Sequence, residues 1–311
     1  MQHRPVICLM GPTASGKTEI AINLHKRFPM DIISVDSALV YRGMNIGTAK
    51  PDCQTLAATP HRLIDIRDPE QAYSAGDFVT DVQREIDSIH AAERVPVLVG
   101  GTMMYFRSLI EGLADLPQAD PGVRQKLDNE AAEKGWPHLH ARLASIDATA
   151  AARINENDSQ RIQRALEVFE LSGKTLTELH ANATTPNTDY RFIKFALVGD
   201  DRPALHQRIG ERFEAMLEQG FVDEVRALMS RPGLGADDAS MRAVGYRQIW
   251  AHLAGNYDLP SAVNKAKAAT RQLAKRQLTW LRTEKQLKVF DPLEMDVFEA
   301  ISAHLAKQLD E

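Results

Sequence analysis

The residues with the clearest chemical capacity lie near the start of the chain, where Gly11 to Thr18 read G-P-T-A-S-G-K-T and fit the spacing G-x-x-x-x-G-K-[ST]. Glycines at both ends, Gly11 and Gly16, let the backbone curl so that several N–H groups point inward. A helix opening after Gly16 aims the positive end of its dipole at the same spot. The product is an anion cradle. Lys17 adds a full charge for outer phosphoryl oxygens, and the Thr18 hydroxyl is placed to coordinate a magnesium ion brought by the phosphates. Asp36 follows the apolar run Asp31 to Val35, and its carboxylate suits a general base or a magnesium ligand; a turn or helix-cap aspartate fits that position equally well. Thr102 closes Gly100-Gly101-Thr102 after a further apolar run, where it reads as a helix N-cap. Arg208 and Arg212, four apart, either grip a diphosphate or pair with Glu211 and Glu214.

These groups need a frame. Val6 to Met10, Asp31 to Val35 and Pro96 to Gly100 are short apolar runs of the kind that fill buried parallel strands, with amphipathic helices from Glu19 to Phe28 and from Ser74 to Ala92 between them. In such a sheet ligands gather at the carboxyl ends of the strands, so the loop after Met10, Asp36 and Thr102 are expected to converge. Tyr41 to Pro51 is a polar, glycine-containing stretch that reads as a loop or lid beside that edge, and Pro60 to Asp68 holds a short strand. Strand and helix stop alternating after Gly112, and the chain reads as helices to about Tyr190, with Asp120 capping a helix that has Pro121 at its first position. Arg161 and Arg164 share a face of one of these helices, as surface charge or as an anion grip. Phe192 to Val198 returns to the sheet, Ala204 to Met229 reads as one long helix, and Gln286 to Phe290 as a closing strand. The densest basic run is Lys265, Lys267, Arg271, Lys275, Arg276, Arg282 and Lys285 with Trp280 among them, suited either to a phosphate backbone or to solvent.

A chain of 311 residues exceeds one usual core, and 44% apolar with 25% charged residues is the composition of a globular protein. Two cysteines, Cys8 and Cys53, give no disulfide or zinc framework, and the ten histidines form no H-E-x-x-H pattern. The N-terminus has no secretory signal and no run has membrane-spanning length, so a cytoplasmic protein without a membrane partner is expected. A net charge of −5 does not exclude a nucleic-acid partner, because charges beyond a Debye length of roughly 8 Å are screened and the local sign decides.

The phosphate loop, Asp36-Ser37 with Tyr41 to Pro51, Gly100 to Thr102, Asn157 to Glu167, Arg242 to Arg247, and Arg271 to Gln277 with Trp280 together resemble, in order and spacing, the bacterial tRNA dimethylallyltransferases (tRNA isopentenyltransferases). The resemblance spans nearly the whole chain. It implies transfer of a dimethylallyl group from dimethylallyl diphosphate to the exocyclic amine of the adenosine 3′ of the anticodon in tRNA, with magnesium. It assigns the donor diphosphate to Gly11, Thr13, Ala14, Ser15, Gly16, Lys17, Thr18 and Arg212, the role of base to Asp36, and the reaction centre to Thr102 and Lys17. The tRNA anticodon stem-loop falls to Asp36, Ser37, Ala38, Leu39, Thr102, Arg124, Gln160, Arg161, Ile162, Gln163, Arg164, Met241, Arg242, Ala243, Val244, Gly245 and Tyr246. Leu39 stands where many members carry glutamine, and Met104 where leucine is common. The expected architecture is α/β: a P-loop NTPase-like parallel sheet flanked by helices, formed by residues 1–112 and 190–311, with a smaller all-helical insertion at 113–189 that closes over tRNA. A monomer is expected. A small-molecule kinase using ATP at Lys17 and Thr18, and a non-catalytic RNA-binding protein, are the alternatives; the first leaves the late basic run without a role and the second leaves Asp36 and Thr102 without one.

Overall fold

The computed structural model describes residues 3–181 and 189–310. The chain divides into two compact units, Met1–Ser108 with Thr188–Glu311, and Leu109–Asn187. The first unit opens with β1 (Arg4–Met10), α1 (Lys17–Arg27), β2 (Met30–Val35), α2 (Cys53–Ala58), β3 (His61–Arg62), α3 (Ala75–Ala91), β4 (Val95–Gly100) and α4 (Met103–Glu111). The helix α3 starts on a capping box in which the Ser74 side chain accepts from the Asp77 amide and the Asp77 side chain accepts from the Ser74 amide. Its stripe of Phe78, Val82, Ile86 and Ile89 is buried, and it packs on β2 and β4.

The second unit contains α5 (Pro121–Lys134), α6 (Trp136–Ile146), α7 (Ala148–Ala151), α8 (Ser159–Ser172) and α9 (Leu176–Ala181). Asp120, Asp147 and Asp158 cap three of these through their side chains, and Pro121 stands at the first position of α5. Leu127, Leu139, Leu143, Ile162 and Leu166 form the core of this unit.

The chain returns through β5 (Tyr190–Leu197), α10 (Arg202–Glu218), α11 (Phe221–Met229), α12 (Tyr246–Leu253), α13 (Leu259–Leu281), β6 (Leu287–Phe290) and α14 (Val297–Asp310). The run expected as one helix from Ala204 to Met229 is two. Gly220 adopts φ 93°, a left-handed conformation that ends one helix and opens the next, while Phe213, Phe221 and Val225 keep the apolar stripe continuous. All six strands are parallel, in the order β3-β2-β4-β1-β5-β6. One face of the sheet, with Ile7, Leu9, Ile32, Val97, Val99, Phe195 and Leu197, is covered by Ile20, Ala21 and Leu24 of α1 and by Ile301 and Leu305 of α14. Because β4 lies between β1 and β2, the segments after these three strands emerge side by side at one sheet edge.

Candidate active site

The loop after β1 leads into α1, which begins beyond Gly16 with no side-chain cap on its first amides. Thr13, Ala14, Ser15, Gly16, Lys17 and Thr18 line a cleft of about 770 Å³ together with Asp36, Leu39, Gly101, Arg212 and Gln277. In the free protein the Lys17 ammonium donates to the Pro12 carbonyl at 2.6 Å and to Ser15 Oγ at 3.2 Å, contacts that an anion in the cradle would replace. Burial pulls the pKa of Lys17 down to about 7, against the attraction of Asp36 and helped by repulsion from Arg212. Burial also lowers the Arg212 guanidinium, with Asp36 opposing. The cleft thus holds two cations whose charge is costly until an anion arrives. Neither Glu211 nor Glu214 neutralises Arg212: Glu211 accepts from Gln207 and Glu214 from Lys267.

At the end of β2 the Asp36 carboxylate is fixed by its own turn. Its Oδ1 accepts from the amides of Ala38, at 2.8 Å, and Leu39, at 3.2 Å, so the turn-aspartate geometry is realised. Among the described residues Oδ2 has no hydrogen-bond partner, so one oxygen is spent on orientation and the other is open for chemistry. Thr102 does not cap α4 with its side chain. Its Oγ1 accepts from the Ser37 amide at 3.1 Å, and its own amide donates to the Val35 carbonyl at 3.3 Å, which joins the ends of β2 and β4. Thr102 stands outside the cleft lining, one residue beyond Gly101.

The other expected contact residues divide by exposure. Ser37, Gln160, Arg161 and Arg242 are exposed, and Ala38, Leu39, Gln163, Arg164, Ala243 and Val244 half-buried. Ile162, Met241 and Tyr246 are fully buried side chains, so any ligand contact from these positions runs through the backbone. In the helical unit Arg124 and Arg164 both bind the buried Glu167 carboxylate, and Arg164 also donates to the Pro117 carbonyl. Burial alone would push Glu167 up, but hydrogen bonds from both arginines and the Asp120 amide outweigh it and hold the carboxyl below its usual range. Among the described residues Arg161 pairs with Asp158, at the surface. Gln163 donates to Asp128. Of the basic run, Lys265, Arg271, Lys275, Arg276, Arg282 and Lys285 are exposed and Lys267 pairs with Glu214, while the Arg107 guanidinium sits over the half-exposed Trp280 ring at 5.5 Å.

Two residues to which the sequence assigns no role hold the site segments in place. Gln277, inside the basic run, accepts from the Thr13 amide at 2.9 Å and donates to the Gly101 carbonyl at 2.8 Å. Glu224 accepts from the successive amides of Asn45, Ile46 and Gly47 and from the Tyr246 hydroxyl, which pins the segment expected as a loop or lid, Tyr41 to Pro51. Nothing in local spacing marks either; both depend on distant segments meeting.

Among the described residues no trio of His, Cys, Asp or Glu is placed to hold a metal ion. The exposed Thr18 hydroxyl at the mouth of the cradle suits a magnesium ion that takes its remaining ligands from phosphate and water, the mode this ion prefers. No helix among the described residues is long and apolar enough to cross a membrane.

The family model for IPP transferases matches residues 39–284. The tRNA dimethylallyltransferase of Thiobacillus denitrificans is 54% identical over 306 residues, 98% of this chain and 97% of that protein. Among solved structures, the tRNA isopentenylpyrophosphate transferase of Bacillus halodurans is 36% identical, with a TM-score of 0.72 over 99% of this chain and 97% of its own. A eukaryotic dimethylallyltransferase captured acting on tRNA is 25% identical, with a TM-score of 0.79 over 97% of this chain and 77% of its own.

Proposed function

Since the chain belongs to the IPP transferase family, we propose that it transfers a dimethylallyl group from dimethylallyl diphosphate to the exocyclic amine of the adenosine 3′ of the anticodon in tRNA. The amine nitrogen forms a bond to C1 of the prenyl group as the C1–O bond to diphosphate breaks. Diphosphate leaves with that electron pair, and the amine proton passes to Asp36. The observation that supports this reading is one cleft lined at once by the phosphate loop, Arg212 and the oriented Asp36 carboxylate.

Each group has a physical task. The loop amides with Lys17 and Arg212 meet the charge that develops on the leaving diphosphate, where a single fixed donor in a desolvated site is worth about 3 kcal/mol. Magnesium held through Thr18, when bound, supplies further neutralisation of that charge. Asp36, with one oxygen tied to Ala38 and Leu39, presents the other to the amine at a set angle. Leu39 lines the same cleft and offers apolar contact only. The adenine reaches Asp36 as a flipped base, which costs a few kcal/mol of unstacking and less in an anticodon loop than in a duplex. The exposed Arg161, Arg242 and basic flank of α13 supply phosphate-backbone contacts, and the helical unit closes over the tRNA. The reaction belongs to the cytoplasm.

Mass spectrometry of nuclease-digested tRNA tests this. Unmodified tRNA is incubated with protein, magnesium and dimethylallyl diphosphate, beside an Asp36→Asn variant that keeps the turn and removes the base. A gain of one dimethylallyl group on a single adenosine, slowed at least 100-fold in the variant, is expected. No gain with the wild type, and ATP consumed instead when small metabolites are supplied, would replace the transferase with a kinase.

A further inference from the structure

Two short segments must keep register for a transfer between two substrates: the loop after β1 that takes the donor, and the turn after β4 that leads to Thr102. Both meet one side chain. Gln277 reaches them from α13, is 8% exposed, and uses both ends of its amide, the oxygen accepting from the Thr13 N–H and the nitrogen donating to the Gly101 carbonyl. We infer that Gln277 is the positioning residue that locks the donor loop to the acceptor turn, a role that rests on the transferase reading of the cleft.

Three features support it. An amide donates and accepts from separate atoms without carrying charge, so it can bridge a backbone N–H and a backbone C=O together. The absence of charge matters beside a diphosphate site, since a carboxylate there would repel the donor and an ammonium could not accept from Thr13. Gly101 is shaped around the same contact: a Cβ built on it would lie 2.3 Å from Gln277 Nε2 and 3.2 Å from the Gly11 carbonyl oxygen. The glycine is required by the close approach of the glutamine and of the first loop, so Gly101 and Gln277 act as one unit. The Thr13 amide donates to Gln277, and both residues line the cleft, so the bond ties the loop to α13 at the site itself.

The role predicts a non-additive pair. Gln277→Met keeps the side-chain volume and removes both hydrogen bonds; kcat should fall tenfold or more, with the KM for tRNA within twofold and the unfolding temperature within a few degrees. The affinity for inorganic diphosphate, read by calorimetry, should weaken three- to tenfold as the loop loses its anchor at Thr13. Gly101→Ala, which pushes the amide away, should reproduce both losses. Combining Gly101→Ala with Gln277→Ala should cost clearly less than the product of the two single losses, because the 2.3 Å clash goes with the amide and only the 3.2 Å approach to the Gly11 carbonyl remains. Losses that multiply, or a Gln277→Met protein with wild-type kcat and diphosphate affinity, would overturn the assignment, as would a variant that loses fold stability without loss of kcat in the folded fraction. Should the wild type fail to prenylate tRNA, the transferase reading falls, and the diphosphate arm of the same four proteins still decides whether Gln277 holds the loop.

Discussion

The lowered pKa of Lys17 makes donor binding depend on pH in a way set by the free site. With its pKa pulled down to about 7 before the anion arrives, Lys17 loses most of its charge between neutral pH and pH 9. A bound diphosphate stabilises the ammonium and lifts its pKa, so binding takes up a proton. With the bound form protonated throughout, affinity falls on the order of tenfold or more between pH 7.5 and 9, and calorimetry at pH 8 in buffers of different ionisation enthalpy reads an uptake that approaches one proton. The working range is chosen so that a prenyl diphosphate ester holds constant charge. Lys17→Met, similar in length and without a titrating group, should bind more weakly and lose most of the slope. For folding the sign is opposite. The folded pKa lies below the 10.5 of the extended chain, so between about pH 7 and 10.5 the unfolded state holds more protons and stability rises with pH. Lys17→Met should therefore raise the unfolding temperature most at pH 6 to 7 and little at pH 10. A wild-type affinity flat from pH 7.5 to 9, with no proton uptake, would show that Lys17 is charged throughout in the free protein and would refute the account of a cation made costly by burial.

Two stability measurements separate structure from RNA contact. Arg124→Ala removes two of the hydrogen bonds on the buried Glu167 carboxylate and leaves those from Arg164 and the Asp120 amide, so urea unfolding should register a loss of about 2 kcal/mol without any RNA present; an unchanged midpoint would assign Arg124 to the surface alone. Tyr246→Phe deletes the hydroxyl that donates to Glu224 at 2.6 Å while three backbone amides remain on that carboxylate, so thermal unfolding should show a loss of about 1.5 kcal/mol. Equal stability there would mean that the loop amides alone hold Glu224.

The division between what could be read along the chain and what could not follows sequence distance. The phosphate loop is legible because eight consecutive residues contain the whole device, glycines at the bends with lysine and threonine at the helix start, and the apolar strand lies directly before them. Asp36 is legible as a strand-end carboxylate, yet its two local acceptor bonds show why position alone left base and turn aspartate level: the side chain is a turn aspartate through Oδ1 and is open through Oδ2. Thr102 looked like a cap because local context offered only its own helix, whereas the adjacency of β2 and β4 gives its hydroxyl to Ser37. Arg124 and Arg164 lie 40 residues apart in sequence and were matched to RNA, and only the fold reveals the buried glutamate between them. The same holds for Gln277, an amide set within the basic run of α13, whose partners are 264 and 176 residues away. Groups that touch the ligand cluster in short motifs because several must point at one small object; groups that hold those motifs in place are drawn from wherever the topology brings a side chain past. The sequence order of this sheet separates β1, β2 and β4 by whole helices, so the residues that register one loop against another are the ones a linear reading is least able to see.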